Sequence, residues 1–330
     1  RVDRRQRQMC IRDSVDSVTT TDYKAGGNDR LVGAFLEDEI MILDNLTLYL
    51  GFRFDWWETS GGYFKQIGGT RPFDIQYPTR SDSAFSPKAS IVYKPFEGTT
   101  LRASAGRAFR PPTVYELYSI FISRGVTTTA GPNLEPETNT AWDIGIEQDL
   151  WKGARARATY FENYLDDLIY TVERTPTLRE RENIGSAVSR GVELEFEQRF
   201  DPWLRFFSNC TFTNAYVTDN PPTPALVGQK LVQVPNFMFN NGVDFTWGPF
   251  SSSLFGRYVA KRYSNDQNTD RYNNVYTSYD PYFLLDARLS YKVTDFATVS
   301  LYVDNILDRD YFSYYKAPGR SIFGEVSFKF

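Results

Sequence analysis

Few side chains in this sequence can do covalent or metal chemistry. The 330-residue chain has no histidine and only two cysteines, Cys10 and Cys210. Without an imidazole there is no Ser-His-Asp or Cys-His nucleophile, no His-bound zinc and no axial His for haem. Two cysteines cannot build a Cys-rich metal site or a disulfide framework. Cys210 shares an apolar face with Leu204, Phe206 and Phe212, where a lone cysteine is a small hydrophobe. Asn265, Asp266, Asn268 and Asp270 offer oxygen ligands of the kind calcium takes, but their spacing is not an EF-hand and reads as a turn. No paired carboxylates stand out as a general acid and base, so neither an enzyme nor a cofactor is expected. Arginine and aromatic residues remain, with 26 Phe, 22 Tyr and 6 Trp in the chain. Guanidinium forks and aromatic faces hold anionic or planar groups without transforming them.

The elements that must position these residues show in the polarity pattern. From Leu31 onward, runs of about ten residues alternate. Leu46, Leu48, Leu50, Phe52, Phe54 and Trp56 share one face, and Thr47, Tyr49, Arg53 and Asp55 the other. Val192, Leu194 and Phe196 oppose Glu193, Glu195 and Glu197, and Leu285, Ala287 and Leu289 oppose Asp286, Arg288 and Ser290. Period two is a strand with one apolar and one wet face, although Asp38 and Glu162 break it. The connections alternate in length. Short ones fall at Leu43-Asp44-Asn45, 94–98, Trp151-Lys152-Gly153, Asp201-Pro202, Gly248-Pro249 and Thr294-Asp295. Long ones are expected at about 57–83, 109–136, 170–182, 216–234, 264–278 and 307–315. In a meander this puts tight turns at one end and large loops at the other, as in outer-membrane barrels. The strands are longer than those of a soluble sandwich and can cross a bilayer when tilted. Trp151, Trp203 and Trp247 near the short turns, and Trp56, Tyr170, Tyr216 and Tyr279 near the loops, suit two interfacial girdles.

Residues 1–14 (RVDRRQRQMCIRDS) hold five Arg and two Asp. A basic arm for nucleic acid is one reading and a disordered tail another. The segment is most similar to translated sequencing-adapter read-through, so residues 1–28 are taken as a non-native or disordered leader, and no nucleic-acid partner is expected.

Four segments carry a family resemblance: FRPPTVYELY (109–118), GPNLEPETNTAWDIGIE (131–147), NIGSAVSRGVELEFE (183–197) and VDNILDRDYFSYYKAPGR (303–320). In this order they resemble the barrel of TonB-dependent outer-membrane receptors, over residues 29–330. The closing VSFKF, with Val326, Phe328 and Phe330, is similar to the signal read by the barrel assembly machinery. The resemblance implies an all-β, antiparallel transmembrane β-barrel, here partial, with about thirteen of 22 strands. Loops would be extracellular and turns periplasmic. The odd strand count and the direction of the first strand predict that this is the C-terminal part of a larger barrel. The plug and the TonB-engaging motif would then lie outside it.

The implied activity is active uptake of a scarce ligand across the outer membrane of a Gram-negative bacterium, driven through the TonB-ExbB-ExbD complex. A ferric siderophore is favoured over cobalamin or another nutrient, and a passive porin is the other alternative. The absence of histidine disfavours haem. Candidate ligand contacts on the loops are Trp57, Tyr63, Arg71, Arg80, Arg110, Tyr115, Tyr118, Arg124, Arg262, Tyr263, Tyr272, Tyr276, Tyr311 and Tyr314. Outer-membrane lipid, the assembly machinery and a small iron chelate are the expected partners. Charges on the wet face, such as Arg157, Glu147 and Glu195, are expected to pair across the wall or meet the plug.

Overall fold

A computed structural model describes residues 9–13, 21–67, 73–123, 125–270 and 272–329, with side chains from Tyr23 onward. Thirteen strands of eight residues or more follow one another as a meander. They are β1 (Thr21–Leu43), β2 (Leu46–Ile67), β3 (Arg80–Tyr93), β4 (Thr99–Arg110), β5 (Glu137–Trp151), β6 (Ala154–Thr175) and β7 (Leu178–Asp201). The second group is β8 (Leu204–Asp219), β9 (Phe237–Trp247), β10 (Phe250–Val259), β11 (Tyr282–Thr294), β12 (Ala297–Asp304) and β13 (Ser321–Phe328). Each pairs antiparallel with its predecessor. Among the described residues no ladder joins β13 to β1, and the sheet is open.

The two faces follow the period-two pattern. Phe52, Phe54, Phe85, Ile144, Ile146, Leu194 and Leu301 lie exposed on the outer face, an arrangement costly in water but favourable against lipid chains. The inner face carries charges that neutralise one another across neighbouring strands. Arg157 bridges Glu147 and Glu195 (3.1 Å to the latter), while Arg205 bridges Glu197 (2.7 Å) and Asp244 (3.1 Å). Ladder pairing satisfies the backbone within the sheet, as hydrocarbon demands. No described helix is long and apolar enough to cross a membrane, a criterion that does not bear on β-strands.

Tight turns sit where the pattern puts them, at Asp44-Asn45, Lys152-Gly153, Pro202-Trp203, Gly248-Pro249 and Asp295-Phe296. The other end differs in three places from the sequence reading. The first strand begins at Thr21 rather than Leu31, and Met9–Asp13 pairs with Thr21–Ala25 inside the segment expected to be a leader. The early start is held by packing, with the Tyr23 ring stacked 5.9 Å from Phe64. Secondly, much of the expected 57–83 loop is strand, because β2 runs to Ile67 and pairs with Phe73–Tyr77. Thirdly, the expected 170–182 loop is a continuing hairpin that turns only at Pro176-Thr177. Cross-strand ion pairs hold this hydrated ribbon, with Arg174 to Glu180 at 3.0 Å and Arg179 to Glu173 at 3.2 Å.

Candidate ligand-binding site at the long-loop end

The 111–136 segment folds onto the inner side of the wall. Pro111 and Pro112 cannot donate to a ladder and end β4. A single helical turn, α1 (Val114–Tyr118), starts on a capping box in which Thr113 and Glu116 satisfy each other's backbone amides. Leu117 and Tyr118 then enter a small core with Trp57 and Leu134. The Tyr118 hydroxyl is 2.6 Å from Thr59 Oγ1, its ring stacks on Tyr77 at 5.0 Å, and the Trp57 indole donates to Asp29 at 2.8 Å. Gly27 and Gly62 make room for this ring. A Cβ on either would lie 2.9 Å or 2.4 Å from Tyr118 ring atoms.

Three arginines fasten the segment. Arg80 donates to the carbonyls of Pro132 (2.6 Å) and Leu134 (3.0 Å). Arg110 pairs with Glu116 (3.0 Å) and Glu137 (2.5 Å). Arg181, from the β7 ribbon, donates to the carbonyls of Ser119 (2.7 Å) and Thr129 (3.1 Å) and lies 4.6 Å from the Tyr115 ring centre. Burial works to raise the Glu116 carboxyl, but Arg110 and the Thr113 amide and hydroxyl outweigh it and hold it below the ordinary glutamate range.

The 260–281 and 305–320 loops are built differently. The buried Asp280 carboxylate accepts from the Asn274 amide (3.1 Å), the Phe312 amide (2.9 Å) and the Ser278 hydroxyl (2.8 Å), tying the two loops together. Arg262 lies 4.7 Å over the Tyr279 ring and donates to Ser313 at 3.2 Å. Its buried Nε has no acceptor among the described residues. Lys261 donates to the Tyr272 carbonyl and to Asn273, each at 2.9 Å. Around these cations the rings face solvent, with Tyr272 77% and Tyr276 68% exposed. Tyr276 meets Phe312 edge-on at 5.3 Å, and Tyr314 meets Tyr315 at 5.0 Å. Tyr311 packs 4.2 Å from Tyr282, and burial, then Tyr282, pushes its phenol up.

The candidate residues therefore divide. Trp57 and Tyr118, 2% and 1% exposed, present no face to a ligand. Arg80 and Arg110 are engaged by the backbone and by carboxylates. Tyr115 keeps an exposed ring beneath Arg181, and Tyr63 is half-buried beside Lys65. Arg262, Tyr263, Tyr272, Tyr276, Tyr311 and Tyr314 belong to the second group, where the Tyr263 carbonyl accepts from the Gln233 amide at 2.8 Å. Arg71, Arg124 and Phe330 lie outside the described residues. Val326 and Phe328 stand exposed on the apolar face of β13. Arg181 was missed by reading 170–182 as a loop, although its Arg-Glu alternation already had strand period. A concavity of about 770 Å³ lies at the opposite, tight-turn end, lined by Arg157, Glu195, Glu197 and Arg205. Its charges already pair within the wall, and it is not the vestibule.

The family model for the TonB dependent receptor-like β-barrel matches residues 2–306. The chain belongs to that family. Among its relatives in Vibrio cholerae, the vitamin B12 transporter BtuB is 25% identical over 233 residues, covering 70% of this chain and 34% of that protein. The iron-regulated outer membrane virulence protein is 24% identical over 281 residues, covering 80% and 41%. The chain thus spans well under half the length of these relatives. The copper transporter OprC superposes with a TM-score of 0.74 at 19% identity, covering 98% of this chain and 57% of the other. The ferric yersiniabactin uptake receptor FyuA of Yersinia pestis gives 0.69 at 18%, covering 98% and 51%. At these identities the likeness is one of fold. The TonB-dependent receptor barrel is an outer-membrane structure, which makes its tight turns periplasmic and its long loops extracellular.

Proposed function

We propose that the chain forms the wall and extracellular vestibule of a receptor that actively takes up a scarce small ligand, a ferric siderophore before cobalamin. One observation carries this reading: Tyr272, Tyr276 and Tyr314 stand exposed around Arg262 and Lys261 on loops of the extracellular end. Rings give stacking area at low entropic cost, and guanidinium and ammonium groups attract an anionic chelate. The candidate contacts of the second loop group, with Tyr115 and Tyr63, are the ligand-facing set. Energy would come from the inner-membrane proton gradient through TonB-ExbB-ExbD, engaged by parts of the receptor other than this wall. The relatives named for iron regulation and vitamin B12 fit the same class of cargo. The test is uptake of radiolabelled ferric siderophore, haem and cobalamin by strains with and without the gene. Gene-dependent siderophore uptake abolished by a proton uncoupler is expected. Uptake that survives the uncoupler would make the protein a passive porin, and uptake of cobalamin alone would replace the iron reading.

A further inference from the structure

Most of the outer face is apolar, but one patch of it is cationic. Arg190 on β7 and Lys230 in the 220–236 loop are both exposed, at 5.9 Å and 5.8 Å from the Tyr216 ring centre. Cross-strand register puts Arg190 opposite Asn214 and Lys230 opposite Tyr216, all on the lipid side of the wall. Lys230 also donates to the Asn214 side-chain carbonyl. Neither cation makes an ion pair among the described residues. Glu162 is the neighbour of Arg190 across the β6 ladder; its carboxylate accepts from the Tyr160 and Tyr164 hydroxyls and offsets part of the charge of Arg190, which lies over Tyr216.

The patch is fixed in position. Asn268, from the next loop, accepts from the Lys230 amide at 2.7 Å and donates to its carbonyl at 3.1 Å. It also stands at a defined height. From Leu204 at the periplasmic turn, the tilted strand climbs about 25 Å to Asn214, the thickness of a barrel's apolar band. Directly beneath lie Val192, Leu194 and Phe212. Two cations against one carboxylate leave a net positive charge on the lipid face, above apolar wall and level with the outer interface, and this matches a phosphorylated headgroup whose chains run down that wall.

We propose that Arg190 and Lys230 form a binding site for the phosphate of an outer-leaflet lipid. The site is separate from the vestibule. The test uses the protein extracted from its own outer membrane in mild detergent and titrated with diphosphoryl lipid A or with phosphatidylcholine, bound lipid being read by native mass spectrometry. The wild type is expected to retain the phosphorylated lipid in preference to the zwitterionic one. Arg190→Gln with Lys230→Gln should weaken retention roughly thirtyfold, since each basic group near a membrane surface contributes severalfold. The charge-preserving pair Arg190→Lys with Lys230→Arg should stay within a few fold of wild type, and heat-modifiable gel mobility identifies folded protein in every case. No preference in the wild type, or full retention by the folded neutral variant, overturns the proposal. Displacement by millimolar inorganic phosphate alone overturns the lipid assignment in favour of a free-anion site.

Discussion

Two parts of the extracellular end use the same residue types for opposite purposes. Around α1, arginine and aromatic side chains are turned inward. Trp57 and Tyr118 are core, while Arg80, Arg110 and Arg181 hold carbonyls and carboxylates. Around the 260–281 and 305–320 loops, Asp280 does the holding, and the Tyr272, Tyr276 and Tyr314 rings are left to solvent. Rings held by packing stabilise a fold, whereas rings held only by their backbone remain available to a partner. Composition cannot separate these cases; what each side chain faces does.

The comparison is broken most severely by emptying the first region. Tyr118→Ala removes the ring enclosed by Gly27, Gly62 and Tyr77, and large-to-small changes of this kind cost about 3–5 kcal/mol. Limited proteolysis within 111–136 should accelerate strongly, and unchanged nicking rates would remove the structural role assigned to this ring. Arg181→Met should act in the same direction but less, by about 1–3 kcal/mol, because buried carbonyls lose their donor. In the second region the readouts should exchange places. Tyr276→Ala should leave stability within about 0.5 kcal/mol yet weaken ligand binding by about tenfold, near the value of one aromatic contact. Isothermal titration beside a denaturation curve separates the two, and a variant that loses stability without losing affinity would erase the contrast.

The smallest expected effect concerns pH. Burial pushes Asp266 up from 3.8 to about 6. A raised folded-state value means that the ordered loop keeps a proton the disordered loop has released. Order in 260–281 should therefore decline as pH rises from 3.8 through about 6 and then level off. Hydrogen exchange corrected for intrinsic rates should report this in the wild type, and Asp266→Asn should flatten it. A slope of the opposite sign would mean that the carboxyl is held by a cation instead.

Much of the wall was legible in the sequence, because lipid on one side and water on the other impose period two on every crossing strand. Leu48, Leu50 and Phe52 could hardly lie otherwise. The loops were less so. The β6–β7 ribbon leaves the bilayer, so nothing requires one of its faces to be apolar, and its charged residues read as a loop. Trp57 and Tyr118 looked like open vestibule aromatics because their neighbours, Asp29, Gly27 and Gly62, come from distant sequence. The exposure of Tyr272 and Tyr276 is what their polar setting beside Asn273 and Asn274 predicts.

The grip of Asn268 on both backbone groups of Lys230 ties together two loops that belong to different hairpins. Thermal motion of either is then correlated with the other, and the pair behaves as a single plate. Anything that quiets the plate at one rim, whether cargo inside or lipid outside, reduces the entropy still to be lost at the other. Occupancy of the two rims would then be positively linked with no change in mean shape.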